Sequence, residues 1–102
     1  MTGGASGIGR AICLGLARDG ADVAVLDLDQ GGGRQVADDV AALHRRAIAV
    51  EADVASAASV AAAVERVHAA LGAVHILVND AGIAGLVALQ EMTEDQWDRM
   101  IA

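Results

Sequence analysis

The chain has 102 residues; 55% are apolar, yet Trp97 is the only aromatic residue, and the formal charge is −7 at pH 7. That length supports one domain over residues 1–102, with a core of small branched side chains suited to a helix-covered parallel sheet. Acidity without any basic cluster beyond Arg45-Arg46 works against nucleic acid and anionic lipid, and no apolar run reaches the roughly 18 residues of a membrane span, so the expectation is a cytoplasmic protein with neither partner.

The glycine-rich stretch Thr2-Gly3-Gly4-Ala5-Ser6-Gly7-Ile8-Gly9 leads into a first helix marked by Ile8, Ala11, Ile12 and Leu16, which stops at Asp19-Gly20. Val23 to Leu26 is a short apolar run that predicts a buried strand, closed by Asp27-Leu28-Asp29. Val36, Val40 and Leu43 predict a second helix ending near Arg46, with a first turn frayed by Gly31-Gly32-Gly33, each glycine costing about 1 kcal/mol relative to alanine. Ala47 to Val50 predicts the next strand, followed by Asp53-Val54. Ser56 then caps a third helix whose apolar stripe is Val60, Val64, Val67 and Leu71, with Gly72 beyond its end. A third strand is expected over Val74–Val78, running into Asn79-Asp80-Ala81-Gly82. Thr93-Glu94-Asp95-Gln96 is a capping box, flanked by Met92 and Trp97 as a hydrophobic staple, and starts a last helix at Glu94.

Alternating helices and strands predict an α/β fold with a doubly wound parallel sheet. A strand is also expected ahead of the glycine loop, where only Met1 stands. The sheet is therefore expected to be incomplete, lacking its first strand.

Gly3, Gly7 and Gly9 stand directly before a helix, so backbone N–H groups and the helix N-terminus can face a diphosphate without side chains in the way. Asp27 lies 18 residues after Gly9 at a strand end, where a carboxylate can accept hydrogen bonds from both hydroxyls of an adenosine ribose and repel a 2′-phosphate. Ser6 and Leu28 supply no compensating positive charge, which favours NAD over NADP. Asp53 is expected near the adenine edge and Val54 against the ring. Cys13 is alone, and His44, His68 and His75 lie at no metal-ligand spacing, so no metal site is expected; the histidines read as solvated or capping, and Cys13 as a core residue.

On Thr2-Gly3-x-x-x-Gly7-Ile8-Gly9, Asp27, Asp53-Val54 and Asn79-Asp80-Ala81-Gly82, the chain resembles the short-chain dehydrogenase/reductase family over essentially its whole length. The resemblance implies a Rossmann-like sheet, NAD(P)-dependent oxidation of alcohols or reduction of carbonyls, and a homo-oligomeric parent enzyme. In the family's strand order the missing first strand lies mid-sheet and the C-terminal half is absent here too, so the strands near 23–26 and 74–78 are expected to lose their shared neighbour, expose unpaired backbone groups and leave the isolated chain marginally folded. It further implies that Ser6 and Ile8 flank the cofactor with the glycines, and that Asn79, Ala81 and Gly82 run beside the cofactor ribose. Asp80 departs from the usual second Asn and adds a negative charge near the site. The family's chemistry uses a Tyr, a Lys four residues later, a Ser and a helical Asn. Tyr is absent here and all seven basic residues are arginine, so no catalytic residue is assigned and the chain alone is expected to be inactive. The expectation is a nicotinamide-dinucleotide-binding fragment of an oxidoreductase, with a non-catalytic nucleotide-binding or interaction module as the alternative. The same motifs disfavour a methyltransferase. Substrate identity is not encoded in these segments.

Overall fold

Two apolar runs pair in parallel at the centre of the computed structural model, which describes residues 1–82 and 89–101. They are β1 (Val23–Asp27) and β2 (Ala47–Glu51), in register from Val23 opposite Ala47 to Asp27 opposite Glu51. The helices are α1 (Gly7–Arg18), α2 (Gln30–Ala41), α3 (Ala57–Leu71) and α4 (Glu94–Ile101), with a 3-10 turn at Leu89–Glu91. Strand side chains alternate between the two faces of the sheet, and here each face has its own helices. Val23 and Val25 pack with Cys13 and Ala17 of α1 and Val36 and Val40 of α2, whereas Ala24, Leu26 and Ile48 pack with Ala63 and Val67 of α3. Helices on both faces of a parallel sheet make this the expected α/β architecture.

The second helix differs from expectation at both ends. Its glycines are helical from Gln30 onward, because Asp29 Oδ1 accepts the Gly32 N–H at 2.9 Å and caps the turn. The absence of a side chain at Gly32 also matters: a Cβ there would crowd the Asp29 carboxylate that caps the turn and stand 3.3 Å from Ala5 Cβ. The helix stops at Ala41 rather than near Arg46. The His44 N–H bonds the Ala41 carbonyl, and His44 takes a left-handed conformation, φ 62°, that turns the chain toward β2.

In α3 the buried residues are Ala63 and Val67, while Val60 and Val64 of the expected stripe are exposed. Alanine and valine surround this helix, so periodicity alone offers several apolar faces. The sheet takes the one that presents a small residue, Ala63, to Leu26 and Ile48. The Ser56 cap forms as expected, with Ser56 Oγ accepting the Ser59 N–H at 3.2 Å. The α4 capping box is also in place: Gln96 N–H donates to Thr93 Oγ1 at 3.2 Å and Thr93 N–H to Gln96 Oε1 at 2.9 Å.

The expected third strand is not formed over Val74–Val78; its end makes a single bridge, between Asn79 and Thr2. Thr2 stands between this segment and β1 and makes one rung of a ladder with each. Val74, Ile76 and Leu77 are correspondingly exposed. The β1 edge, in contrast, is not left bare as expected. Met1 N donates to the Ala24 carbonyl at 3.0 Å, Leu26 N to the Met1 carbonyl at 2.9 Å, and Gly3 N to the Leu26 carbonyl at 2.9 Å. Thr2 N donates across to the Val78 carbonyl at 3.0 Å, so Thr2 is itself the shared neighbour of Leu26 and Asn79.

Candidate functional site

The carboxyl end of β1 delivers Asp27 beneath the glycine loop. Its Oδ2 accepts the Ala5 N–H at 3.1 Å and its Oδ1 accepts the Asp29 N–H at 3.0 Å, so one carboxylate ties the loop to the strand end. Ligands of open parallel sheets bind at this end, where the connecting loops gather.

Three glycines serve close packing. A Cβ on Gly3, whose φ is 70°, would lie 2.7 Å from the Ala81 nitrogen; one on Gly4 would lie 2.9 Å from Val25 Cγ1 and 3.0 Å from Cys13 Sγ; one on Gly9 would collide with the Gly3 carbonyl. The loop is thus pressed between residues 80–81, the core and the first turn of α1. Gly7 differs. Its φ of 57° needs glycine, yet a Cβ there would meet nothing within 4 Å, so the space over its backbone is open.

The start of α1 is unlike the other helix starts. Asp29, Ser56 and Thr93 each accept a backbone N–H of the helix that follows. Ser6 is extended at the N-cap of α1 but makes no such bond, and the first turn holds no acidic residue. Helix N-termini carry unsatisfied N–H groups and partial positive charge. At α1 no side chain caps these groups, and the Cβ position of Gly7 in the same turn is open.

Thr2 is the hub that holds the second side of the site. It is 9% exposed, and its Oγ1 accepts the N–H groups of Asp80 at 3.2 Å and Ala81 at 3.3 Å while lying 3.5 Å from the Val78 carbonyl. Sequence reasoning placed Thr2 in the motif without giving it a role. Its position directly before Gly3 was the available signal.

The structure therefore brings Gly3, Ser6, Gly7, Ile8, Gly9, Asp27, Asn79, Ala81 and Gly82 to one end of the sheet. Ile8 is 72% exposed at the start of α1. Asp53 follows Ala52, whose N–H bonds the Asp27 carbonyl at 3.1 Å, so it sits at the same sheet end. Its carboxylate turns into its own loop, where Oδ1 accepts the Ala55 N–H at 2.9 Å, and its backbone N–H donates to Ser59 Oγ at 2.9 Å. Val54 is exposed beside it.

Charge at this end is acidic. Arg10, the basic residue adjoining the loop in sequence, pairs with Asp39 of α2 at 3.0 Å. Cys13 lies fully buried under Gly4, and burial pushes its thiol above the ordinary cysteine range. His68 caps the end of α3, with Nδ1 3.1 Å from the Gly72 carbonyl. Among the described residues no group of three His, Cys, Asp or Glu could hold a metal ion, and no helix is long and apolar enough to cross a membrane.

The sequence pattern of the short chain dehydrogenase family matches residues 1–102. The chain is 39% identical to 2-(S)-hydroxypropyl-CoM dehydrogenase 3 of Xanthobacter autotrophicus, over 100% of this chain and 40% of that protein. It is 40% identical to D-threitol dehydrogenase of Mycolicibacterium smegmatis, over 100% of this chain and 39% of that one. Among solved structures, a 3-ketoacyl-ACP reductase from Sinorhizobium meliloti 1021 superposes with a TM-score of 0.95 at 36% identity, over 99% of this chain and 40% of that chain. A blue fluorescent protein from a metagenomic library, in complex with NADPH, superposes at 0.91 with 41% identity, over 97% of this chain and 41% of that one. The chain spans about two fifths of the length of the curated relatives it matches.

Proposed function

This chain belongs to the short-chain dehydrogenase family, and on that premise we propose that its glycine loop binds the diphosphate of a nicotinamide dinucleotide, NAD in preference to NADP, for an oxidoreductase acting on an alcohol or carbonyl. The observation that carries the reading is the start of α1, where Ser6 makes no cap bond to the helix N–H groups and the Cβ position of Gly7 is open. A diphosphate has the charge and the acceptor oxygens to satisfy them.

The residues present fit that group. Gly7 leaves its backbone open to it, Gly3 and Gly9 let the loop pack into place, and Ser6 and Ile8 stand at its flanks. Asp27 has both oxygens oriented by backbone N–H groups, and each keeps a further lone pair for a ribose hydroxyl. A 2′-phosphate would meet this carboxylate. Arg10 is already paired with Asp39, and Leu28 is apolar, so neither offers compensation. In this reading Asp53 and Val54 meet the adenine and Asn79, Ala81 and Gly82 run beside the ribose, a segment held by the Asp80 and Ala81 N–H bonds to Thr2 Oγ1. The NADPH in the related blue fluorescent protein supports dinucleotide binding on this fold, while Asp27 supports the choice of NAD.

When bound, the nicotinamide accepts or delivers the hydride of the reaction. These 102 residues contribute binding and orientation, since they contain no Tyr and no Lys for a proton transfer of the family's type. Calorimetric titration with NADH and NADPH tests the reading. NADH is expected to bind at least about tenfold more tightly, the scale of one lost charge-assisted hydrogen bond. Failure to bind either dinucleotide overturns the reading, and equal or tighter NADPH binding overturns the preference. With alcohols and NAD the chain is expected to show no turnover.

A further inference from the structure

Asp80 carries a charge that the proposed cofactor site does not use. Its backbone is fixed, because its N–H and that of Ala81 both bond Thr2 Oγ1, and the Ala81 backbone lies 2.7–2.8 Å from where a Cβ on Gly3 would stand. Its side chain reaches toward α1, with Oδ2 2.9 Å from the position of a Cβ on Gly9. The ion pairs among the described residues employ Arg10, Arg45 and Arg46, with Asp39 and Asp22 as their partners, and none neutralises Asp80.

We infer that the Asp80 carboxylate sets the affinity for the dinucleotide by holding a negative charge against the Gly9 side of the glycine loop, where it opposes the diphosphate. The inference rests on the diphosphate reading of the loop. The partial positive charge of the α1 N-terminus then acts on two anions, the Asp80 carboxylate near Gly9 and the diphosphate of the ligand. Asp80 is exposed, so solvent screens the repulsion and its effect is a tuning of affinity rather than a bar to binding. Asparagine keeps the shape and removes the charge.

The experiment is calorimetric titration of the wild-type chain and of Asp80→Asn with NADH and with ADP-ribose, which has the same diphosphate and no nicotinamide, at about 20 mM and about 500 mM salt. At low salt the variant is expected to bind both ligands about twofold to fivefold more tightly, the range of exposed charge interactions. At high salt the gain is expected to fall below about 1.5-fold. Unchanged or weaker binding by the variant overturns the inference, as does a gain confined to one ligand or one that survives high salt. If neither protein binds either ligand, the diphosphate reading fails and this inference fails with it. Thermal unfolding of both proteins establishes that each is folded, and Asp80→Ser, which also removes the charge, serves if Asp80→Asn is not.

Discussion

The Ala5 N–H and the Asp27 carboxylate meet at 3.1 Å across 22 residues of chain, so the residue proposed to hold a ribose also anchors the loop proposed to hold the diphosphate. Substitution at Asp27 is therefore expected to change stability and ligand choice together. Asp27→Ala leaves the Ala5 and Asp29 N–H groups without this acceptor and is expected to cost about 1–2 kcal/mol. NADH affinity is expected to fall at least about tenfold, with a smaller loss for NADPH because the repulsion of its 2′-phosphate disappears. Urea unfolding and parallel titrations measure both. An unchanged ratio of the two affinities would remove Asp27 from the specificity argument.

Thr2→Val keeps the side-chain shape and deletes the hydroxyl that receives the Asp80 and Ala81 N–H groups. Leaving such groups unsatisfied in a partly buried site costs about 1–3 kcal/mol. Residues 79–82 are expected to lose hydrogen-exchange protection while Val23–Asp27 keeps its ladder to β2. Equal loss of protection in both segments would show that Thr2 supports the sheet as a whole.

Gly7 and Gly9 are expected to respond differently to alanine. At Gly7 the penalty comes from a left-handed backbone with free space around it, about 1–2 kcal/mol. At Gly9 the added carbon meets the Gly3 carbonyl, which is main chain and cannot rotate aside, so the loop must shift at a cost of about 3 kcal/mol or more. Chemical denaturation ranks the pair. Greater damage from Gly7→Ala would contradict the packing described for the loop.

At the opposite end of the sheet, Asp22 gives a pH dependence. The Arg46 backbone N–H at 3.0 Å holds its carboxyl below the usual aspartate range against partial desolvation, with further help from the Arg46 side chain at 3.1 Å and the Arg45 and Arg46 charges. A carboxyl depressed on folding stabilises the native state above its unfolded value, about 3.9, and loses that contribution as pH falls through the lower folded value. Asp22→Asn is expected to destabilise the protein at neutral pH and to flatten the acid limb below about pH 4. Unfolding midpoints between about pH 2.5 and 7 provide the check, and parallel curves for the two proteins would exclude Asp22 as a contributor.

The sequence by itself determined the features whose causes lie within a few residues. The Ser56 and Thr93 caps are bonds between a side chain and an N–H three residues on, and the strand at Val23 is a short apolar run closed by Asp27. The spacing from Gly9 to Asp27 reflects one helix and one strand of ordinary length, so the two could be assigned to one site without coordinates. Only the tertiary structure decided what depends on distant partners. Periodicity in α3 offered Val60, Val64, Val67 and Leu71, but the sheet surface kept Val67, added Ala63 and left Val60 and Val64 exposed. The run Val74–Val78 has the composition of a strand, yet a strand is a pairing, and its partner across the slot is Thr2. The hub at Thr2 spans 78 residues to Asp80, and no local pattern encodes a bond of that reach. Local hydrogen bonds and side-chain periods are written into neighbouring residues, whereas the choice among apolar faces and backbone partners is made by the elements that pack against them.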